Sequence, residues 1–249
     1  MLLLVAAVPL ETALLRRSLG LSARPRQNGA LDLFFGELAG APIALLHTGV
    51  GKSNAAASLA LACSGLPPLR AVLNLGCAGA YPRSGLSVGD LCLASAEIFG
   101  DEGVRTPEGF LDMEALGFAL ALRDSQPRFN HFELDASLRR QALPRLLEFA
   151  ATQNRRLLQG ASVTVSCCSG SDAQAMEIAG RTGGLCENME GAALAQICFR
   201  LELPMLELRG ISNLAENRDL SRWNLELAVT TAQEACLHLL RTWHPEERP

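Results

Sequence analysis

Short apolar runs recur along this chain, and amphipathic stretches fill most of the gaps between them. The run at 2–8 predicts a buried first strand, followed by a helix over 10–19. Residues 31–38 and 42–48 predict two further strands. Gly49-Val50-Gly51 then turns into an Ala-rich helix over 52–64. Residues 71–75 predict a short, wholly apolar strand leading into a loop, Gly76-Cys77-Ala78-Gly79-Ala80, and 89–98 is strand-like. Residues 99–130 mix glycine, proline and charge among aromatics and predict an irregular loop, a length usually tied to function or mobility. Helix resumes over 135–151. A strand over 159–168, the polar turn Ser169-Gly170-Ser171, helices over 172–180 and 190–200, a strand over 204–211 and a helix near 221–242 complete the reading. Strands alternating with helices predict an α/β fold, a three-layer α/β/α sandwich around a central mixed sheet with a mostly parallel centre. No repeat, low-complexity tract or linker divides it, so one domain is expected over 1–249. Sites on such sheets gather at the carboxyl ends of strands. Glu11, the segment 76–80, the turn 166–171 and Asn213 all fall there.

Composition narrows the function classes. With 49% hydrophobic residues in 249, the chain can bury a sizeable core. A net charge of −4 argues against a nucleic-acid surface. The apolar N-terminus has no basic n-region and stops at Pro9-Leu10-Glu11, unlike a signal peptide. No apolar run approaches the ~20 residues of a membrane span. A cytoplasmic protein without membrane partners is therefore expected. The eight cysteines form no C-x-x-C pair and read as buried small hydrophobes in a reducing compartment. The four histidines show no metal-ligand spacing, so neither a metal site nor a cofactor is expected.

Four local features carry candidate chemistry. Thr48-Gly49-Val50-Gly51-Lys52-Ser53 suggests a phosphate loop, but Leu46 stands where a Walker motif needs its first glycine, so an NTPase is disfavoured. What remains is either a tight strand-to-helix turn or a helix N-terminus whose N–H groups face a ligand. Glu11 is either a first-turn acid favourable to the helix dipole or a carboxylate able to take a proton from water. Glu190, in Asn188-Met189-Glu190-Gly191-Ala192-Ala193, is either a helix N-terminal acid or a carboxylate accepting the paired hydroxyls of a ribose, with polarisable Met189 along the sugar. Asn213, in Arg209-Gly210-Ile211-Ser212-Asn213, is either a cap beyond the strand or an amide facing a heterocycle.

Taken together these pieces resemble the purine nucleoside phosphorylase/nucleosidase superfamily over almost the whole chain. Ala7 to Glu11, Gly49-Val50-Gly51-Lys52, Asn74-Leu75-Gly76-Cys77-Ala78-Gly79, Met189-Glu190-Gly191-Ala192-Ala193 and Ile211-Ser212-Asn213 occur in that family's order and spacing. The segment from Gly103 to Phe118 is similar to that of futalosine hydrolases, the nucleosidases of the futalosine route to menaquinone. The resemblance implies a homodimer or higher homo-oligomer acting on a small-molecule nucleoside. It implies that Glu190 holds the ribose hydroxyls, that Met189 lies along the sugar, that Glu11 activates water and that Asn213 faces the purine. Gly51, Cys77, Ala78, Gly79 and Ser212 stand in the same motifs and are expected to line the substrate. Two departures stand out: adenosine-type nucleosidases carry Glu where Asn188 stands, and Cys77 replaces a common serine.

Within that resemblance the residues discriminate between reactions. Phosphorylases of the superfamily hold phosphate with an arginine after strand one and another where Asn74 stands here. Without a guanidinium beside Glu11, phosphate is electrostatically unwelcome and hydrolysis is expected. Adenosine-type nucleosidases carry Asp at the position of Asn213. An ionised Asp would face the O6 lone pairs of hypoxanthine, whereas the neutral amide donates to N7 or O6 with no protonation cost. The expected activity is an N-ribosyl hydrolase that cleaves futalosine to hypoxanthine and dehypoxanthine futalosine. The alternatives are a 5′-methylthioadenosine/S-adenosylhomocysteine or aminofutalosine nucleosidase, a phosphorylase, and a non-catalytic nucleoside-binding protein. Phe99, Arg105, Phe110, Phe118, Arg128 and Phe129 are candidates for the walls and cation of a site for the 5′ carboxyphenyl group. Loss of the Glu11 side chain is expected to spare the fold.

Overall fold

The computed structural model describes residues 1–23 and 31–242. In chain order the elements are β1 (Leu2–Ala6), a 3-10 turn (Pro9–Thr12), α1 (Ala13–Ser18), β2 (Ser22–Ala23), β3 (Asp32–Leu38), β4 (Ala41–His47), α2 (Lys52–Gly65), β5 (Ala71–Ala80) and β6 (Leu91–Phe99). Two hairpins follow, β7 (Gly103–Thr106) with β8 (Gly109–Asp112) and β9 (Ala121–Arg123) with β10 (Gln126–Arg128), then β11 (His131–Glu133). The rest is α3 (Ala136–Thr152), β12 (Leu157–Thr164), α4 (Asp172–Thr182), β13 (Cys186–Asn188), α5 (Gly191–Arg200), β14 (Met205–Leu214), a 3-10 turn (Leu220–Arg222) and α6 (Leu225–Thr242).

Ten strands form one mixed sheet. β1 is buried at every position because it lies centrally, parallel to β4 on one side and β5 on the other. A strand covered on both faces needs a continuous apolar run rather than alternation, which is why Leu2 to Ala6 carry no polar residue. β14 runs parallel to β5 and antiparallel to β6. β6 pairs with β12, β12 with β13, and β13 returns to β5. Those pairings close into a ring, so one end of the sheet curls into a small barrel. Leucines from β1, β4, β5 and β14 pack against α1, α3 and α6 on one face. The alternate positions pack against α2 and α5 on the other. That arrangement is the three-layer sandwich with a central mixed sheet. None of the described helices is long and apolar enough to cross a membrane.

The structure corrects the sequence reading in four places. Residues 76–80 are not a loop but the second half of β5. Their glycines signal close approach rather than a turn: a Cβ on Gly76 would lie 2.4 Å from Glu11 Oε1. The segment 99–130 is not irregular, because it holds the two hairpins and ends by joining the main sheet through β11. Its strands of three and four residues are too short to show a period. β12 stops at Thr164, and residues 165–168 leave the sheet. β14 continues past Ile211 with a bulge at Ser212, so Asn213 is a strand residue paired with Gly79 and not a cap.

Candidate active site

The chain leaves β1 at Ala6 and turns through Pro9, whose fixed φ suits the first position of the 3-10 turn. That turn folds the Glu11 side chain back over the strand end. Glu11 Oε2 accepts from the backbone N–H groups of Ala7 at 3.0 Å and Val8 at 3.2 Å. Oε1 accepts from the Cys77 N–H at 3.0 Å. Glu11 is buried, so removing its side chain strands three backbone donors. The expectation that the fold is indifferent to this residue is therefore wrong.

Glu190 is placed by two devices. Asn188 Oδ1 accepts from the backbone N–H groups of Glu190 at 2.9 Å and Gly191 at 2.7 Å, fixing the start of α5. Gly51, at φ +96°, donates its N–H to Glu190 Oε1 at 2.9 Å. The turn after β4 thus spends its amide on the carboxylate. Only glycine adopts that backbone geometry readily. Burial raises the Glu190 pKa, and the charge of Arg209 opposes the rise. The Asn188 amide is committed as well, donating to Glu97 Oε1 at 2.8 Å and Ser162 Oγ at 2.9 Å.

Arg209 joins these parts, and sequence reading assigned it no role. It is 2% exposed, and its Nε donates to Glu207 Oε1 at 2.9 Å. A Cβ on Gly76 would lie 2.8 Å from Arg209 Nη1 as well as against Glu11, so the guanidinium and the Glu11 carboxylate meet over that glycine. Arg209 Nη2 is buried without a hydrogen-bond partner. The neighbouring carboxylates Glu207 and Glu190 hold the Arg209 pKa above its ordinary value against burial. Asn74 Nδ2 donates to Glu207 Oε2 at 2.8 Å, so its amide faces the barrel interior. Sequence alone places no guanidinium beside Glu11; the fold brings Arg209 there. The carboxyl groups of Glu207 and Glu190 already face its charge, and that of Glu11 lies beside it.

The barrel interior also holds Glu97, which accepts from Thr164 Oγ1 at 2.6 Å. Burial and the adjacent Glu207 raise the Glu97 pKa well above its ordinary value, while Glu207, against the cost of burial, is lowered from its ordinary value by Arg209. Glu97 is therefore the protonated member of the pair. The one signal for this network in the sequence was Glu207-x-Arg209 inside an otherwise apolar run. Charges two apart on a strand share a face, and on a buried face they need each other.

At the far ends of β5 and β14, Asn213 Nδ2 donates to the Leu214 carbonyl at 2.9 Å, and Oδ1 accepts from Ser212 Oγ at 2.7 Å. Ser212 also reaches the Ala78 carbonyl at 3.2 Å. Gly79 faces the Asn213 amide, with Nδ2 3.0 Å from where a Cβ would stand. Burial and the Glu11 charge push the Cys77 thiol up to about 12, so it stays a neutral thiol rather than a nucleophilic thiolate. Burial, and then the charges of Glu187 and Glu190, raise the Cys168 thiol to about 11. Met189 is half-buried beside Glu190. Glu11, Cys77, Glu190 and Gly51 thus share one locus with Arg209, and Ala78, Gly79, Ser212 and Asn213 form its continuation along β5 and β14.

The aromatic and basic residues expected to form a further wall fall in more than one place. Phe99 packs edge-on against Phe132 beneath Lys52. Arg105 pairs with Glu177 of α4, and Phe110 lies under Arg181 of the same helix. Arg128 stacks on Phe199 of α5, and Phe118 is exposed.

The chain matches the phosphorylase superfamily over residues 2–241. It is 36% identical to a futalosine hydrolase of Thermus thermophilus over 214 residues, covering 85% of this chain and 87% of that protein. It is 27% identical to a 5′-methylthioadenosine/S-adenosylhomocysteine nucleosidase of Listeria monocytogenes over 253 residues, covering 96% and 98%. Its fold is similar to the crystal structure of the 5′-methylthioadenosine/S-adenosylhomocysteine nucleosidase of Neisseria meningitidis in complex with methylthio-immucillin-A. That similarity has a TM-score of 0.81 at 25% identity, covering 97% of this chain and 99% of that one.

Proposed function

The chain belongs to the phosphorylase superfamily and is an N-glycosyl hydrolase, and from that premise we propose that its substrate is futalosine, cleaved by water to hypoxanthine and dehypoxanthine futalosine. The observation that carries this reading is the meeting of Glu11, Arg209 and Glu190 around Cys77, with Asn74 turned away into the barrel. Glu190 takes the ribose hydroxyls, and Met189 lies along the sugar. Gly51, Cys77, Ala78, Gly79 and Ser212 line the substrate. As the N-ribosidic bond lengthens, positive charge grows on the sugar beside Glu190 and Glu11, which stabilise it. Glu11 receives the proton of the attacking water, and the Arg209 guanidinium beside it balances part of the charge of the surrounding carboxylates. Leu214's carbonyl can only accept, so Asn213 Nδ2 faces it and keeps a second hydrogen for N7 or O6 of the departing base. An anionic co-substrate would enter a site already rich in carboxylates, which favours water over phosphate. A homo-oligomer is part of this proposal, and sedimentation analysis tests it. The identity of the base tests the substrate. Futalosine, aminofutalosine and methylthioadenosine are each incubated with the protein, and hypoxanthine from the first is expected to appear fastest. Adenine released faster from either of the others overturns the choice of substrate.

A further inference from the structure

Glu187 is buried on β13, one residue before the Asn188-Met189-Glu190 motif. In register it lies directly across from Gly79 of β5. On the other side of the same glycine, β14 places Asn213. Residues directly opposite in a ladder point to the same face. A carboxylate and an amide therefore flank one position that has no side chain. With neighbouring strands about 4.8 Å apart, the two outer backbones stand about 10 Å from each other. That is room for two side chains to reach two different edges of one flat heterocycle lying over Gly79. A Cβ there would press on the Asn213 amide at 3.0 Å.

The turn after β12 closes the same space. Ser169 gives its N–H to Glu187 Oε1 at 2.8 Å and its hydroxyl to Oε2 at 2.6 Å. Cys168, next in that turn, feels both Glu187 and the sugar-side Glu190. The row Glu187–Gly79–Asn213 therefore continues the site that holds Glu190. Among the described residues, no arginine or lysine pairs with Glu187. The buried Tyr81 hydroxyl also faces Glu187. A carboxylate has about four acceptor positions, so Ser169 and Tyr81 still leave one for a donor on a ligand.

We infer that Glu187 reads the leaving base: its carboxylate accepts the N1–H of a 6-oxopurine while Asn213 serves the N7 and O6 edge. This rests on reading the site as a nucleoside site. A 6-aminopurine has no hydrogen on N1, and its lone pair would face the carboxylate. Discrimination between the two base classes thus resides in two residues on the adjacent edges that flank O6, and Asn213 is only half of it. A site built to hydrogen-bond one group rejects an analogue lacking it strongly, because its own buried acceptor is left unpaired.

The test is calorimetric binding of free hypoxanthine, 1-methylhypoxanthine and adenine to the full chain and to Glu187→Gln. Glutamine keeps an acceptor for Ser169 and adds a donor suited to the bare N1 of adenine. Wild type is expected to prefer hypoxanthine over both other bases by at least about tenfold. In Glu187→Gln the preference for hypoxanthine over adenine is expected to fall by at least about tenfold. The methylated base needs no variant, so the test survives a variant that fails to fold. Equal wild-type affinity for hypoxanthine and 1-methylhypoxanthine, or an unchanged preference in a folded Glu187→Gln, overturns the inference and leaves the nucleoside reading standing. Failure of wild type to bind any purine overturns both.

Discussion

Glu11→Gln separates the chemical role of Glu11 from its structural one. The carboxylate accepts three backbone N–H groups, from Ala7, Val8 and Cys77. Glutamine has the same shape, but one end becomes a donor. In the better orientation its oxygen serves Ala7 and Val8, and its NH₂ then faces the Cys77 N–H. That leaves one buried donor unsatisfied, at about 1–3 kcal/mol, and turns two charge-assisted bonds into weaker neutral ones. The expected destabilisation is about 2–4 kcal/mol, which for a chain of this size lowers Tm by about 4–16 °C. Loss of the proton acceptor is expected to cost about a hundred- to ten-thousand-fold in turnover. Thermal melts followed by circular dichroism measure the first effect. Chromatographic detection of released base, well below the variant's melting range, measures the second. Turnover near the wild-type rate in a folded Glu11→Gln refutes the water-activation role. A variant that melts with wild type refutes the three-bond anchoring.

Asn213→Asp is expected to move base preference toward 6-aminopurines by at least about tenfold in kcat/KM ratio, since a carboxyl can pair with N7 or the 6-amino group; unchanged selectivity in competition assays contradicts the role of Asn213. Glu207→Gln removes the partner of a buried arginine and is expected to cost about 3–5 kcal/mol in urea unfolding, whereas Glu97→Gln, replacing a carboxyl that already carries its proton, is expected to stay within about 1 kcal/mol below about pH 4, where the unfolded carboxyl is protonated as well. The sign of the pH dependence follows from the raised Glu97 pKa: the folded chain holds a proton that the unfolded chain releases above about pH 4.3. That contribution is complete at low pH and is lost as pH rises through the folded value. Glu97→Gln is therefore expected to gain stability relative to wild type as pH is raised, and a pH-independent difference contradicts the assignment.

Much of the fold was legible because its signals are local. The run Leu2 to Ala6 has no polar interruption, and only a strand covered on both faces tolerates that. Gly49-Val50-Gly51 marked the start of α2, and the structure shows the φ values that demanded glycine. The hairpins of 103–128 were hidden because strands of three or four residues carry no period to read. The continuation of β5 through Gly76 and Gly79 was hidden for another reason. Those glycines answer to Glu11 and Asn213, residues far away in sequence that approach the strand from outside. The site divides along the same line. Glu11, Glu190 and Asn213 were visible because each stands in a family motif. Arg209, Glu97, Glu207 and Glu187 gain their meaning only from the curl that brings β5, β6, β12, β13 and β14 into a ring. A buried charge in a strand reads as a misfit until its partner on another strand is known.

Water activated by Glu11 is proposed to break the N-ribosidic bond of futalosine. Cleavage in water enriched in heavy oxygen, with and without added phosphate, tests it most directly. The expected result is that dehypoxanthine futalosine carries one heavy oxygen on its sugar, with hypoxanthine released at a rate that phosphate does not raise. A sugar phosphate as product, or base release that depends on phosphate, would contradict the account.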